Sequence, residues 1–186
     1  GIAKQTADFY FERNPQVAAV LVTDARMNKR IYRKLVSTNF FLSRELDYSA
    51  IDEFIENEMD TAIQAEKGIE QVINASPFFG EPILVLFYPY REKGLDQGLV
   101  IFFSAETLSE NIGTGKLQTT YLVNNLGDIL IHPDFELTKN GINISDSKLF
   151  IEMREKGDMN RQILFTDKEG KKQFGAYRKL LIADLA

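Results

Sequence analysis

Two phenols and a guanidinium close the run Leu86-Phe-Tyr-Pro-Tyr-Arg91. Aromatic rings with polar tips suit a small-molecule pocket, because the ring supplies apolar area while the hydroxyl or cation fixes orientation. In an extended chain Leu86, Tyr88 and Tyr90 share one face and Phe87 and Pro89 the other, so both phenols can converge on one cavity. The same side chains can equally cap a sheet edge and meet water.

Other chemistry is sparse. His132 is the only histidine, so a Ser-His-Asp triad or a metal site would have to be built around this single ring. Lying just before Pro133, it reads as a strand-end imidazole bonded to a loop carbonyl. The sequence holds no Walker loop, Gly-x-Gly-x-x-Gly, His-Glu-x-x-His or EF-hand ligand ladder, and Gly113-Thr-Gly115 is too short to cradle a phosphate. The absence of cysteine excludes disulfides, thiolate metal sites and a Cys nucleophile. The densest acidic cluster, residues 52–60, lies opposite the apolar stripe of a helix and reads as a solvated face rather than an acid-base pair. No enzyme and no cofactor is expected of this domain.

A formal net charge of −5 and a pI near 5.1 argue against nucleic-acid binding, which needs a basic footprint. The basic cluster Arg26, Lys29, Arg30, Arg33 and Lys34 could attract an anion, although such clusters are usually solvated. The 186 residues, 44% hydrophobic, can bury one sizeable core, so a single domain spanning 1–186 is expected. No apolar run approaches the length of a membrane span. The chain opens in a helix-like stretch and stops at Leu-Ile-Ala-Asp-Leu-Ala186, an apolar run, which suggests a piece excised from a longer, membrane-anchored protein.

The elements that must position these residues follow from periodicity. Residues 2–13 carry Ala7, Tyr10 and Phe11 at helical spacing and stop before Asn14-Pro15. Residues 17–22 form a β-branched apolar run, a strand buried on both faces. From Ile51 the stripe Ile51, Phe54, Ile55, Met59, Ala62, Ile63 predicts one amphipathic helix, with Ser49 and Asp52 spaced as a capping box. Strands are expected over 69–74, 82–90 and 98–103, and short helices over 105–111 and 147–155. Residues 119–123 and 129–131 form a hairpin about Asn124-Asn-Leu-Gly127, which Pro133 ends, and 162–166 pairs with 173–181 across Asp167-Lys-Glu-Gly170. With no βαβ alternation, the order implies an α+β fold with one central antiparallel sheet.

The order of these pieces resembles the Cache family, the PAS-like extracellular sensor domains of bacterial chemoreceptors, sensor kinases and nucleotide cyclases. The resemblance is carried by Asn14-Pro-Gln-Val-Ala-Ala-Val-Leu-Val-Thr-Asp24, by Ser76-Pro-Phe-Phe-Gly80, by Gly98-Leu-Val-Ile-Phe-Phe-Ser-Ala-Glu-Thr-Leu108 and by Tyr121-Leu-Val-Asn-Asn-Leu-Gly-Asp-Ile-Leu-Ile-His-Pro-Asp134. It implies a PAS-like central sheet flanked by helices, with a long N-terminal helix. Ser76 to Gly80, Phe174-Gly-Ala-Tyr-Arg-Lys179 and the final apolar run look most similar to the ectodomains of membrane-bound adenylate/guanylate cyclases, with chemoreceptors the close competitor. The amino-acid-binding subtype uses a tryptophan, and this chain has none.

The resemblance further implies a small-molecule ligand laid against the sheet near Tyr88, Tyr90, Arg91, Phe103 and Tyr121, at the periplasmic or extracellular face of the inner membrane. A homodimer through the first helix fits two-fold signalling proteins. A ligand-free structural or dimerisation domain, and a cytoplasmic PAS-like module with His132 on a haem, remain open alternatives.

Overall fold

The protein is described by a computed structural model over residues 2–24, 31–112, 118–166, 170–183 and 185–186. The apolar run at its centre is β1 (Val17–Thr23), buried along its length except at half-open Val20. It pairs antiparallel with β2 (Ile31–Val36) and with β5 (Leu95–Ser104). β4 (Ile83–Glu92) and β3 (Gln71–Asn74) complete a five-stranded sheet of order β2-β1-β5-β4-β3. β4 and β5 meet at a two-residue turn in which Lys93 (φ 52°) and Gly94 (φ 78°) are both left-handed, the geometry that matches strand twist.

One face of the sheet is closed by helices. α2 (Thr38–Ser43), α3 (Ala50–Asn57), α4 (Met59–Glu66) and α5 (Ser76–Phe79) bury Phe40, Phe41, Ile51, Phe54, Ile55, Met59 and Phe79 against Leu21, Val85, Phe87, Val100 and Phe102. Phe54 meets Phe78, Phe79 and Phe102 with ring centroids 5.5–5.8 Å apart. α4 approaches the strands closely because Ala62 and Ala65 are small and fully buried. Gly98 lies beneath it, where a Cβ would come within 2.5 Å of Thr23 Oγ1 and 3.4 Å of the Ala62 carbonyl.

The single helix expected from Ile51 is two, parted at Glu58 (φ −99°, ψ 24°). The break re-aims the chain so that both apolar stripes stay on the sheet. The expected capping box does not form: Ser49 is itself helical (φ −66°, ψ −25°) and makes no side-chain cap. Its N–H and hydroxyl donate instead to Asp47, at 2.8 and 2.6 Å. These bonds, the hydroxyl's first, hold the Asp47 carboxyl below its ordinary pKa. The N-terminal helix α1 (Ile2–Arg13) ends before Asn14-Pro15 as the sequence implies, but at twelve residues it is not the long helix expected.

β2 takes in the end of the basic cluster, Arg33 and Lys34. It is an edge strand, the position where charged side chains are tolerated. Arg33 pairs with Glu92, and Lys34 reaches Asp52 at 2.7 Å. Arg26, Lys29 and Arg30 lie outside the described residues.

The rest of the chain builds on the opposite face. After α6 (Glu106–Asn111), the hairpin β6 (Leu122–Val123) and β7 (Ile129–Ile131) lays Leu130 and Ile131 on Val72, Leu84 and Ala105. Its turn needs Gly127, which has φ +90° and would place a Cβ 2.7 Å from the Ser145 amide nitrogen. Ala186 exchanges both backbone bonds with Val123, at 2.6 and 3.0 Å. α7 (Phe135–Lys139) and α8 (Lys148–Glu155) precede the hairpin β8 (Asn160–Thr166) and β9 (Lys172–Arg178). The turn residues 167–169, read as a hairpin signal, lie outside the described residues.

Two asparagines join this lobe to the edge strand β3. Asn74 Nδ2 donates to the carbonyls of Ile129 (3.0 Å) and Thr138 (2.7 Å). Asn124 Nδ2 donates to the Val72 carbonyl (3.2 Å), while its Oδ1 accepts from the Leu126 and Asp128 amides. The sheet edge is thus covered by side-chain amides, which also serve buried backbone carbonyls.

Gly98→Ala is expected to cost about 1–3 kcal/mol by overpacking under α4. Combined with Thr23→Ala, the loss is expected to be smaller than the sum of the single losses, by about 0.5–3 kcal/mol. Denaturant unfolding of the four proteins measures this, and strict additivity would mean that Thr23 does not press on that site.

Candidate functional site

The pleat of β4 and β5 decides what each side chain can do. Ile83, Val85, Phe87, Val100 and Phe102 point into the helix-covered core, whereas Leu84, Leu86 and Phe103 belong to the second core. Tyr88 continues the second set and pairs with Leu99, as Leu86 pairs with Ile101. Across β1 the row extends to Val20 and then to Leu35 of β2. The lobe covers only the β3 end of this face. Val20, Leu86, Leu99, Ile101 and Phe103 are half-buried, and Tyr88 and Leu35 are exposed at 44% and 47%. The result is an apolar shelf with one phenol at its margin.

Tyr90 and Arg91 stand further along β4, near the turn. They border a shallow depression of about 290 Å³ shared with Glu66, Lys67, Pro89, Asp96 and Gln97. Arg91 alternates to the opposite face from Tyr88 and Tyr90, and it pairs with Asp96 directly across the hairpin at 3.2 Å. Both members of this pair are largely solvated, so it anchors little. Phe103 sits deeper and packs, as do Ile112 and Leu122, against the second core. The structure therefore brings Tyr88 and Phe103 to one face and separates them from Arg91 and from Tyr121.

Tyr121 lies in the C-terminal lobe. Its ring is tilted against His132 with centroids 5.7 Å apart, and burial pushes its phenol pKa up. His132 Nδ1 accepts from the Asp134 amide at 2.9 Å, so the neutral ring carries its proton on Nε2. The partner expected was a loop carbonyl; the Asp134 carbonyl is the more distant neighbour, at 3.2 Å. Among the described residues no group of three or more His, Cys, Asp or Glu could hold a metal.

Tyr121 also borders a cleft of about 870 Å³ between residues 118–121, α8 and the β8–β9 hairpin. Val123, Ile144, Phe150, Met153 and Phe165 make its apolar lining, with Tyr177 alongside. Sequence reasoning passed over these residues. The available signals were the apolar pair Phe150 and Met153 at helical spacing and the alternation of Ile163 and Phe165 in β8. Tyr177 is buried, and its hydroxyl has no hydrogen-bond partner among the described residues.

No family model matches the chain, and no curated protein is similar to it at a significant level. Solved structures do match. The extracellular domain of an inferred histidine kinase, rpHK1S-Z16, overlays with a TM-score of 0.61 at 14% identity, covering 99% of this chain and 74% of that one. That of mmHK1S-Z2, also an inferred histidine kinase, gives 0.57 at 13% identity, covering 98% and 78%. The ligand-binding domain of the Pseudomonas aeruginosa PAO1 amino-acid chemoreceptor PctC, in complex with GABA, is 24% identical. It covers 78% of this chain and 61% of that one, with a TM-score of 0.46, an overlay too loose to add to the fold assignment. The α+β architecture of a helix-flanked antiparallel sheet is shared with these two extracellular domains.

Tyr177→Phe is expected to leave stability unchanged or to raise it by about 1 kcal/mol, because the hydroxyl is buried without a bond. Urea unfolding measures it, and a loss above about 1 kcal/mol would show that the hydroxyl is bonded in solution.

Proposed function

We propose that this chain is the ligand-sensing domain of a bacterial transmembrane receptor, lying at the periplasmic or extracellular face of the inner membrane. The observation that carries the reading is the half-open apolar shelf on the sheet, in a fold shared with extracellular sensor domains. One face of the sheet is spent on the helical core, while the other keeps partly uncovered area suited to a small molecule. Tyr88 and Phe103 are the contacts on this face, with Tyr90 at its far end and Arg91 on the opposite face of the strand. A ligand acts by binding one arrangement of the lobe and sheet better than another, since only a differential affinity shifts an equilibrium.

The effector we favour is a cytoplasmic adenylate/guanylate cyclase, on the resemblance of Ser76 to Gly80, of Phe174 to Lys179 and of the final apolar run. A chemotaxis receptor or histidine kinase is the alternative. No described helix is long and apolar enough to cross a membrane, so in this reading the anchoring segments lie elsewhere in the protein.

We place a homodimer contact on α1, whose Phe9 and Tyr10 are 54% and 44% exposed while Phe11 is buried. Phe9→Glu/Tyr10→Glu is expected to leave a monomer by sedimentation at a concentration where the parent chain dimerises. A parent chain that is monomeric throughout, or a double variant that still dimerises, would remove α1 from the contact.

Thermal unfolding against small carboxylates, amines, amino acids, nucleobases and metal ions tests the sensing role. A ligand at about 100 times its Kd adds about 2.7 kcal/mol by mass action and raises Tm by several degrees. The shift is expected to be lost in Tyr88→Ala. No shift at millimolar concentration would favour a structural or dimerisation domain.

A further inference from the structure

The cleft of the C-terminal lobe takes no part in the reading above. It is built from the 118–121 segment, α8 and the β8–β9 hairpin, around the third core cluster of Val123, Phe150, Met153 and Tyr177. At about 870 Å³ it falls within the range of roughly 300–1,000 Å³ that holds drug-sized molecules. We infer that this cleft is a second small-molecule site, and that it takes an uncharged, largely apolar molecule with a hydrogen-bonding group.

The chemistry of the lining selects that class. No acidic, basic or imidazole side chain lines the cleft among the described residues. A carboxylate, phosphate or ammonium entering it would give up hydration with no counter-charge to replace it, a penalty a neutral molecule does not meet. Ile144, Leu149, Phe150, Met153 and Phe165 make an apolar floor, and the neutral side chains of Gln118, Thr119, Thr120, Tyr121, Gln173 and Tyr177 supply hydrogen-bonding groups around it. An uncharged molecule with an apolar ring system and a hydrogen-bonding group satisfies both kinds of surface.

The floor stays open for a structural reason. Gly175 of β9 stands opposite Ile163. A Cβ there would press on Phe165 Cε1 at 3.0 Å and on Leu149 Cδ1 at 3.1 Å. The glycine therefore lets the hairpin close on α8 from one side without a side chain of its own projecting into the gap.

Fluorescence titration of the intact domain with N-phenyl-1-naphthylamine, an uncharged naphthalene with one N–H, tests the inference. 8-Anilinonaphthalene-1-sulfonate carries a similar ring system with a charge and serves as the contrast. The neutral probe is expected to bind saturably and at least about ten-fold more tightly than the anion. Thr119→Val/Tyr121→Phe, which strips rim hydroxyls while keeping shape, is expected to weaken the neutral probe about five-fold or more. Thr120→Trp, at an exposed rim position, is expected to abolish binding. Gln118→Trp, exposed on the same rim, is a second blocker should the first not fold. Tyr88→Ala is expected to bind like the parent chain, so that the cleft and the sheet shelf are read separately. No saturable binding, full affinity in a folded rim-tryptophan variant, an anion bound as tightly as the neutral probe, or an unchanged hydroxyl-stripped variant would each overturn the inference.

Discussion

Everything in this molecule is arranged about the two-residue repeat of β4 and β5. Each is ten residues long, and they pair in register along their whole length. Their alternate side chains must serve two different surroundings. One set, with Phe87 and Phe102 at its centre, is sealed under α3, α4 and α5. The other set is shared between a packed end, where Leu84 meets Leu130 and Ile131, and an open end, where Leu99, Ile101 and Tyr88 meet solvent. A one-residue slip would exchange the two sets and bury the phenols among the helices, so the register that builds the core also fixes what the open face presents.

Much of the fold was legible in the sequence wherever periodicity and turn chemistry agreed. β1, the β6–β7 hairpin and the end of α1 are set by local features: a β-branched run, a glycine that must be left-handed, and a proline that forbids the preceding residue a helical conformation. β2 was not legible, because its edge position allows Arg33 and Lys34 into a strand and blurs the apolar pattern. The break between α3 and α4 escaped notice since the apolar stripe continues across it. The candidate site was harder still. Tyr88 and Phe103 share a face, as alternation implies. The separation of Tyr121 from them depends on where the lobe docks, and nothing local in the sequence encodes that.

Charge is distributed in a way that agrees with this division. Arg33–Glu92, Lys34–Asp52, Arg44–Glu106 and Arg91–Asp96 lie at the surface, with members solvated to different degrees, and add little to stability singly. Their effect is on partners: the acidic surface discourages polyanions, while the cleft lining holds no ionised side chain among the described residues and the shelf meets the Arg33–Glu92 pair only at its far end. Selection of a ligand then falls to shape and to a few hydroxyls, where buried polar groups left without partners are the strongest discriminators.

The amide clasp between β3 and the C-terminal lobe has a dynamic consequence. A strand added to a sheet edge is held by a ladder whose rungs all lie along one direction, and it peels only from an end. The bonds of Asn74 and Asn124 instead sit at two points, and they radiate toward Ile129, Thr138 and Val72. Parting the two bodies exchanges these few bonds for water and lifts Leu130 and Ile131 off Val72, Leu84 and Ala105, while the ladders inside each are left intact. Such a parting is a sub-global opening, in which hydrogens guarded at the seam would exchange together and sooner than those of β1 or β5. The junction works as a latch with two pins, and the protein can rearrange there without melting on either side.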